Sequence, residues 1–286
     1  MESEHEVRGS VAVLPLEGVV LHEETFPEGE ARVSRLLRAA GVFSWPIIVD
    51  RASGLVLDGN HRVRVLLKTW GARWVLAQTV VLESPGVRVQ TWCRVLEGVS
   101  GARFAALSRA LGLTEGPGAG FACHYEGRVY GRQGLDPLGA YDLAREVERD
   151  LTGNGAVGRS YVDDEEAPRY LEQPETLLVR LPPLPKEAIV ARSRRAPFPP
   201  KSTRFLLPFR VIGVPLPVEA LAGPREAVER IVETTRGGPL RLLGEGVRVD
   251  RRYPERLYQF DGYRIPPGLF ADPAARADYE AALVRP

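Results

Sequence analysis

The sequence predicts a mixed α/β (α+β) protein with an N-terminal domain, a second small α/β domain and a C-terminal extension. Apolar stretches of strand length alternate with amphipathic helical ones, glycine and proline separate them, and 286 residues suffice for two ordinary domains. We place the domains at 1–105 and 106–220 and the extension at 221–286. We expect a ligand cleft between the two domains.

The N-terminal domain begins with a strand in SVAVLPLEGVVL, which the polar cluster HEET follows. EARVSRLLRAAG has apolar residues at helical spacing and ends at Gly41, a typical helix stop. A Ser-Gly turn joins two short strands, Pro46–Val49 and Leu55–Leu57. HRVRVLLKTW predicts a helix that ends at Gly71, and WVLAQTVVLES and VRVQTWCRVL predict further strands.

The second domain opens with a helix in GARFAALSRALGL, followed by FACHYEGRVYG, a hairpin that turns at its Glu-Gly pair. A capped helix begins at Asp136-Pro137. ETLLVRLPPLPKEAIVARSRRA then predicts a strand, a proline turn and a helix, and the loop PFPPKSTRFLLPF follows. The region from Ala222 contains a helical pattern over Arg225–Thr234, strand-like pieces and a short terminal helix.

Composition limits the possible partners and compartments. The 38 basic and 37 acidic residues nearly cancel, which argues against a protein that clamps nucleic acid. The sequence has no apolar run of membrane-spanning length, and MESEHEVRGS does not resemble a signal peptide. Cys93 and Cys123 do not form a CxxC pair. We therefore expect a cytoplasmic protein that does not bind membranes.

The motif DGNHR stands at a predicted strand-to-helix junction. Gly59 lets backbone amides approach a bound group, and the helix N-terminus carries partial positive charge. Arg62 offers a planar fork suited to phosphate, and His61 can donate to it. Asp58 could hold a metal ion or orient a hydroxyl. The alternative is an ordinary turn with a capping aspartate and a solvent-facing arginine.

Two further polar segments carry possible chemistry. Glu23 of HEET follows a strand and could meet Asp58 across neighbouring strand ends, where one carboxylate would accept a proton and the other hold a cation. Lys201–Arg204 (KSTR) supply two cations and two hydroxyls, a set that suits a carboxylate or phosphate. The alternatives are a helix-capping region for HEET, a basic surface loop for KSTR, and a core or rim position for Trp92.

Taken together, LHEET, GVFSWPIIVD, GLVLDGNHRVRVLLKTWGA, VRVQTW and PPKSTRFLLPF resemble free L-serine kinases, whose N-terminal domain is ParB-like. That family carries HE, a proline-initiated strand, DGHHR, V-x-V-x-T-W and PKTTRH-x-LPF in the same order. The resemblance covers roughly 10–215. DGxHR alone is moderately specific, and the HE, TW and PKSTR elements narrow the match to the kinase branch.

The resemblance implies a kinase that transfers a phosphoryl group from ATP or ADP, with magnesium, to free L-serine and so yields O-phospho-L-serine. It also implies a possible place in a siderophore or other specialised pathway that needs diaminopropionate. Glu23 matches the general base, Asp58 belongs to the catalytic centre and is the expected metal ligand, and Trp92 matches a substrate contact. The remaining candidates are Gly59, Asn60, His61 and Arg62 for the nucleotide phosphates, and Lys201, Ser202, Thr203 and Arg204 for the serine loop.

Two departures from the family pattern leave other functions open. Asn60 replaces the first histidine of DGHHR, and Phe205 replaces the histidine after the TR pair. These changes are compatible with a ligand sensor that has lost catalysis. The main alternative is a ParB-like, nucleotide-dependent DNA-binding or regulatory protein. It would need a helix-turn-helix and a basic face, which we do not find in the sequence.

Overall fold

The computed structural model describes residues 3–118, 120–153 and 155–283. The helices in these ranges are α1 (Glu4–Gly9), α2 (Pro27–Ala40), α3 (Asn60–Trp70), α4 (Gly101–Leu111), α5 (Pro137–Thr152), α6 (Lys186–Ser193), α7 (Arg225–Gly237) and α8 (Pro273–Leu283). Within these ranges, no helix is both long enough and apolar enough to cross a bilayer.

The strands of the described residues are β1 (Val11–Pro15), β2 (Val20–Leu21), β3 (Val42–Phe43), β4 (Ile47–Asp50), β5 (Leu55–Asp58), β6 (Trp74–Val80), β7 (Arg88–Thr91), β8 (Cys93–Glu97), β9 (Thr114–Glu115), β10 (Ala122–Tyr125), β11 (Arg128–Gly131), β12 (Gly158–Val162), β13 (Thr176–Arg180), β14 (Thr203–Leu206), β15 (Phe209–Ile212), β16 (Leu216–Pro217), β17 (Leu240–Gly244), β18 (Val247–Arg248), β19 (Arg252–Tyr253) and β20 (Arg256–Phe260). Together with the helices they form the mixed α/β fold that the sequence predicts.

The chain divides into two compact units. The first combines Met1–Arg88 with Phe205–Pro286, and the second is Val89–Arg204. This division differs from the expected breaks at 105/106 and 220/221, because the chain returns to the first unit at Phe205 and remains there. The region 221–286, which we expected to be a separate extension, is therefore part of the first unit.

The main sheet of the first unit has the strand order β1-β6-β4-β5-β2. The strands β4 and β5 form the antiparallel pair that the sequence predicts, and β2 lies parallel to β5 with Val20 opposite Leu55. Glycines end the helices that follow β2 and β5: Gly41 after α2 and Gly71 after α3 are both left-handed, with φ of 67° and 54°. Because parallel neighbours end at the same edge of a sheet, the residues after β2 and β5 share one edge.

A second sheet of the first unit has the order β15-β20-β17. A buried glutamine joins the two sheets: Gln78 on β6 donates to the carbonyl of Phe209 and accepts the amide hydrogen of Val211, both at 3.0 Å. Its side-chain amide thus satisfies backbone groups of β15 as a neighbouring strand would. A core cluster spans both sheets and α7, whose Val228 and Val232 are buried in it.

The C-terminal region has an apolar cluster of its own within the first unit. Tyr253, Leu257 and Tyr279 are buried there, and Ile212 of β15 and the partly buried Trp45 belong to the same cluster. Because this cluster includes side chains from before residue 221, the C-terminal region contributes to the core of the first unit.

The second unit is built on a sheet of order β12-β8-β13-β10-β11-β9, in which the paired strands are antiparallel. The hairpin β10–β11 turns at Glu126 and Gly127, as predicted, and both residues have positive φ. Asp136 caps α5 by accepting the amide hydrogen of Gly139 at 2.8 Å. The helix α5 buries an apolar face that includes Tyr141 and Leu143.

Candidate functional site

Two of the predicted motifs lie at one edge of the main sheet in the first unit. His22 and Glu23 directly follow β2, and DGNHR begins with Asp58, the last residue of the parallel strand β5. The expected juxtaposition of HEET and DGNHR at neighbouring strand ends is thus present in the fold. The expectation that KSTR joins them at one cleft stays a prediction.

Asn60 links the two motifs. Its side chain is 6% exposed, and its Oδ1 accepts the backbone amide hydrogens of His22 at 3.2 Å and Glu23 at 3.5 Å. We expected this amide to contact the nucleotide phosphates. The structure instead turns its oxygen towards the protein backbone, so we reassign the side chain of Asn60 from cofactor binding to positioning Glu23.

His22 and Glu23 form a buried pair at the end of β2. The His22 Nδ1 lies against the carbonyl oxygen of Val56 and 3.1 Å from the side-chain nitrogen of Asn60. The other ring nitrogen, Nε2, faces Glu23 Oε1 at 3.2 Å. Phe205 packs its ring edge-on against His22, with 5.5 Å between centroids. The departure at position 205 therefore puts an apolar ring beside this pair.

His61 stands in the first turn of α3 and contacts the start of α2. Its Nε2 accepts the backbone amide hydrogen of Phe26 at 3.3 Å, and the two rings meet edge-on at 4.5 Å. Gly29 makes this contact possible, because a Cβ at that position would lie 2.5 Å from the imidazole. Part of the hydrogen-bonding capacity of His61 therefore serves the N-terminus of α2.

Arg62 is held by backbone oxygens instead of pointing freely at a ligand. Its Nη1 donates to the carbonyls of Trp45 at 2.6 Å and Pro46 at 3.0 Å, and its Nη2 lies 3.4 Å from Asp58 Oδ1. Gly59 allows this arrangement with φ of 110°, a left-handed conformation that disfavours other residues. The guanidinium of Arg62, which we expected to bind phosphate, is thus largely hydrogen-bonded to the protein.

Asp58 is surrounded by arginines. Besides Arg62, Arg210 Nη1 and Arg251 Nη2 both donate to Asp58 Oδ2, at 2.6 and 2.7 Å. Tyr253 stacks beneath both, with its ring centroid 5.5 Å from Arg210 Cζ and 5.0 Å from Arg251 Cζ. Burial disfavours the charged form of Arg251, but the nearby Tyr253 and Asp58 more than offset this and raise its pKa. Asp58 therefore sits in a strongly cationic setting.

These surroundings do not fit a magnesium ion held by the protein. A divalent cation needs several oxygen ligands, whereas the neighbours of Asp58 are guanidinium groups that repel it. Across the part of the chain that the structure describes, no group of three or more His, Cys, Asp or Glu side chains could hold a metal ion. We therefore derive no step through a metal, and the expected role of Asp58 as a metal ligand stays a prediction.

Arg210 and Arg251 were absent from the predicted site. Arg210 lies just beyond the LLPF segment of the resemblance, and Arg251 lies in the C-terminal region that the resemblance does not cover. In an arginine-rich chain, no local pattern distinguishes these two residues from the others. Only the fold brings them to Asp58, which is 193 positions before Arg251 in sequence.

The second unit gathers another set of predicted residues around an indole. Lys201 Nζ lies 5.2 Å and Arg204 Cζ 5.0 Å from the centroid of the Trp92 ring, both within cation–π range. Arg204 Nη1 also pairs with Asp163 Oδ2 at 2.7 Å. Lys201 has φ of 55°, a strained conformation for a residue with a side chain. Such strain is common at ligand-binding positions.

The two hydroxyl residues of KSTR are buried. Ser202 is fully buried, and its hydroxyl donates to the carbonyl of Pro199 at 2.7 Å. Arg94, itself fully buried and paired with Glu148 at 3.2 Å, lies 3.4 Å from the same hydroxyl. Thr203 is 5% exposed. We expected both hydroxyls to contact the substrate, and we reassign Ser202 to bracing the loop that carries Lys201.

The fold is shared with several solved structures. SbnI with a C-terminal truncation, from Staphylococcus aureus, superposes with a TM-score of 0.66 at 17% identity, covering 80% of this chain and 97% of that chain. A free serine kinase in complex with AMP gives 0.61 at 22% identity, covering 74% and 93%. A conserved hypothetical protein from Pyrococcus furiosus gives 0.59 at 22%, covering 74% and 97%.

This chain has the fold of a free serine kinase. The predicted fold class is confirmed by this likeness, which extends over nearly the whole length of each of those structures. No protein-family model and no curated protein matches the chain.

Proposed function

We propose that this protein is a kinase for free L-serine, which transfers a phosphoryl group from ADP or ATP to the serine hydroxyl and yields O-phospho-L-serine. The observation that carries the proposal is the fold. It is that of a free serine kinase solved with AMP, and of a variant of that kinase solved with ADP. The HE and DGNHR motifs, at adjoining ends of parallel strands, support the same function.

In the proposed reaction, Glu23 is the general base. A serine hydroxyl is a weak nucleophile at neutral pH, so a carboxylate within about 3 Å must accept its proton while the new O–P bond forms and the bond from phosphorus to the nucleotide oxygen breaks. Asn60 holds the backbone of this residue, and His22 Nε2 bonds its Oε1 at 3.2 Å. The second oxygen of the carboxylate would then accept the serine proton.

Asp58 and the start of α3 would handle the phosphoryl donor. Backbone amides at the N-terminus of a helix favour phosphate, and Gly59 removes the side chain that would obstruct a close approach. His61 and Arg62 remain candidates for this subsite, although both already bond to the protein. The transferred group carries negative charge through the transition state, which the cationic surroundings of Asp58 would stabilise.

The residues around Trp92 would hold the amino acid. Arg204 and Lys201 offer cations for its carboxylate, and the indole gives them an ordered platform. Thr203 and Ser202 would shape this loop. Asp163 pairs with Arg204 at 2.7 Å and so fixes its position. An arrangement of this kind selects an amino acid over a neutral alcohol.

We also propose a cytoplasmic setting. Cys93 and Cys123 are buried free thiols, as expected where disulfides do not form. The siderophore or diaminopropionate pathway remains an implication of the sequence resemblance.

The proposal is tested by incubating the purified protein with L-serine, magnesium and either ADP or ATP, and detecting O-phospho-L-serine by ³¹P NMR. L-threonine, L-homoserine and glycerol serve as acceptors that differ from serine in the carbon chain or lack the amino acid group. We expect phosphoserine with at least one donor and little transfer to glycerol. If serine is unmodified with both donors, the kinase assignment is wrong.

A further inference from the structure

The C-terminal region delivers Arg251 to the candidate site from a well-anchored hairpin. The strands β18 and β19 pair antiparallel, and within their connection Val249 N–H donates to the carbonyl of Arg251 at 2.9 Å. Val249 and Tyr253, on either side of Arg251, are 1% and 4% exposed and belong to the C-terminal apolar cluster. Packing on both sides therefore anchors the backbone segment that carries Arg251.

The side chains of the three arginines around Asp58 differ in their exposed fraction. Arg62 is bonded to two backbone carbonyls. Arg210, with a side chain only 9% exposed, uses Nε on Glu255, Nη1 on Asp58 and Nη2 on the carbonyl of Phe205. Arg251 is 26% exposed, comparable with Asp58 at 25%. Arg62 is 20% exposed, so Arg251 has the most exposed of the three arginine side chains bonded to Asp58.

The ring of Tyr253 orders the guanidinium of Arg251, whose planar fork is suited to bind an oxyanion. The ring of Tyr253 stacks on it at 5.0 Å, and the Tyr253 hydroxyl is tied to Asp250 at 2.7 Å. A stacked guanidinium loses little freedom when it forms further bonds, and its geometry matches phosphate oxygens. Asp58 Oδ2 shows that an anionic oxygen is accommodated here at 2.7 Å.

We infer that Arg251 binds the distal phosphate of the nucleotide donor, which makes the C-terminal region part of the nucleotide site. The inference rests on the proposed kinase function, because that proposal puts Asp58 at the reacting phosphate. A cation bonded to Asp58 then lies beside the group being transferred, where charge stabilisation contributes most. This gives the region 221–286 a specific role in substrate binding.

The test compares ADP with AMP, because AMP lacks the distal phosphate. Binding of each nucleotide is measured by isothermal titration calorimetry for the wild type, Arg251→Ala, Arg251→Lys and Arg248→Ala. Arg248 is the matched control, since it lies on the same hairpin but pairs with Asp272 at 2.8 Å and is 44% exposed. Thermal unfolding of each variant verifies that it is folded.

We expect Arg251→Ala to weaken ADP binding by about tenfold or more, the usual range for a lost charge-assisted bond, with a clearly smaller effect on AMP. Arg251→Lys keeps the charge without the planar fork, so its ADP affinity should lie between those of the wild type and Arg251→Ala. Arg248→Ala should bind both nucleotides like the wild type. Unchanged ADP affinity in a folded Arg251→Ala, or an equal loss for ADP and AMP, overturns the inference alone. A wild type that binds neither nucleotide overturns the proposed function and this inference together.

Discussion

Replacing Asn60 by alanine tests whether its amide positions the general base or contacts the nucleotide. The substitution removes the Oδ1 atom that accepts two backbone amide hydrogens, those of His22 at 3.2 Å and Glu23 at 3.5 Å. A buried donor left without an acceptor costs about 1–3 kcal/mol. The first contact has ordinary hydrogen-bond length and the second is long, so we expect the free energy of unfolding to fall by about 2 kcal/mol, less than for two full bonds.

The functional consequence should separate turnover from nucleotide binding. If Asn60 holds the backbone of Glu23, Asn60→Ala lowers the kcat of phosphoserine formation by about tenfold or more, because small displacements of a catalytic group are costly. The ADP dissociation constant should stay within about twofold.

The assays are urea unfolding, steady-state kinetics and calorimetric titration with ADP. Gln133→Ala, which removes an exposed amide, is the control and should change the unfolding free energy by less than about 0.5 kcal/mol. A large loss of ADP affinity in Asn60→Ala with normal stability and kcat would show that the amide reaches the nucleotide, contrary to our reassignment.

Three further predictions concern the thiols, the loop around Trp92 and the C-terminal region. Burial raises the pKa of Cys93 to about 11 and of Cys123 to about 12, above the ordinary 9.0, so neither thiol should react with a thiol reagent at pH 8 before the protein unfolds. Because these thiols ionise more readily in the unfolded chain, the free energy of unfolding should decline as pH rises above about 9. Fast labelling of the native protein would contradict this prediction. Asp163→Asn should raise the KM for L-serine about tenfold and change kcat little, because Arg204 would lose the partner that positions it. An unchanged KM would show that Asp163 does not position Arg204. Leu257→Ala should lower the free energy of unfolding by about 2–5 kcal/mol in urea titrations, since the side chain is fully buried, whereas a loss below about 1 kcal/mol would mean that the C-terminal region is not part of the core.

Local sequence signals predicted the elements that local chemistry determines. The ends of α2 and α3 follow from Gly41 and Gly71, which adopt the left-handed conformation that closes a helix. The start of α5 follows from a capping aspartate before proline. The prediction that Glu23 and Asp58 follow neighbouring strands depended only on two short apolar segments and their order.

The roles of individual site residues depended on contacts that no local pattern encodes. The sequence indicated Arg62 as a phosphate ligand, whereas in the structure it donates to the backbone carbonyls of Trp45 and Pro46. Because every residue has a backbone carbonyl, the sequence carries no signal of such a bond. Asn60 looked polar and available, but the fold buries it. For these residues, burial and backbone geometry decide the role.

The unit boundaries were also beyond local reasoning. Composition does not change at 88/89 or 204/205, where the chain leaves and re-enters the first unit. The return depends on long-range packing, such as the bonds of Gln78 to Phe209 and Val211. The contact of Arg251 with Asp58 arises in the same way, so a region that appeared to be an appendage contributes to the candidate site.

The role of Glu23 is tested by the rate at which Glu23→Gln converts L-serine to O-phospho-L-serine in the presence of ADP or ATP. Glutamine keeps the shape of the side chain that faces His22 but cannot accept the serine proton. Glu24→Gln, which removes the adjacent carboxylate, is the matched control. We expect Glu23→Gln to lose about 10²-fold or more in turnover with ADP affinity retained, and Glu24→Gln to stay near the wild type. Near-normal turnover by Glu23→Gln would contradict the assignment of Glu23 as the base.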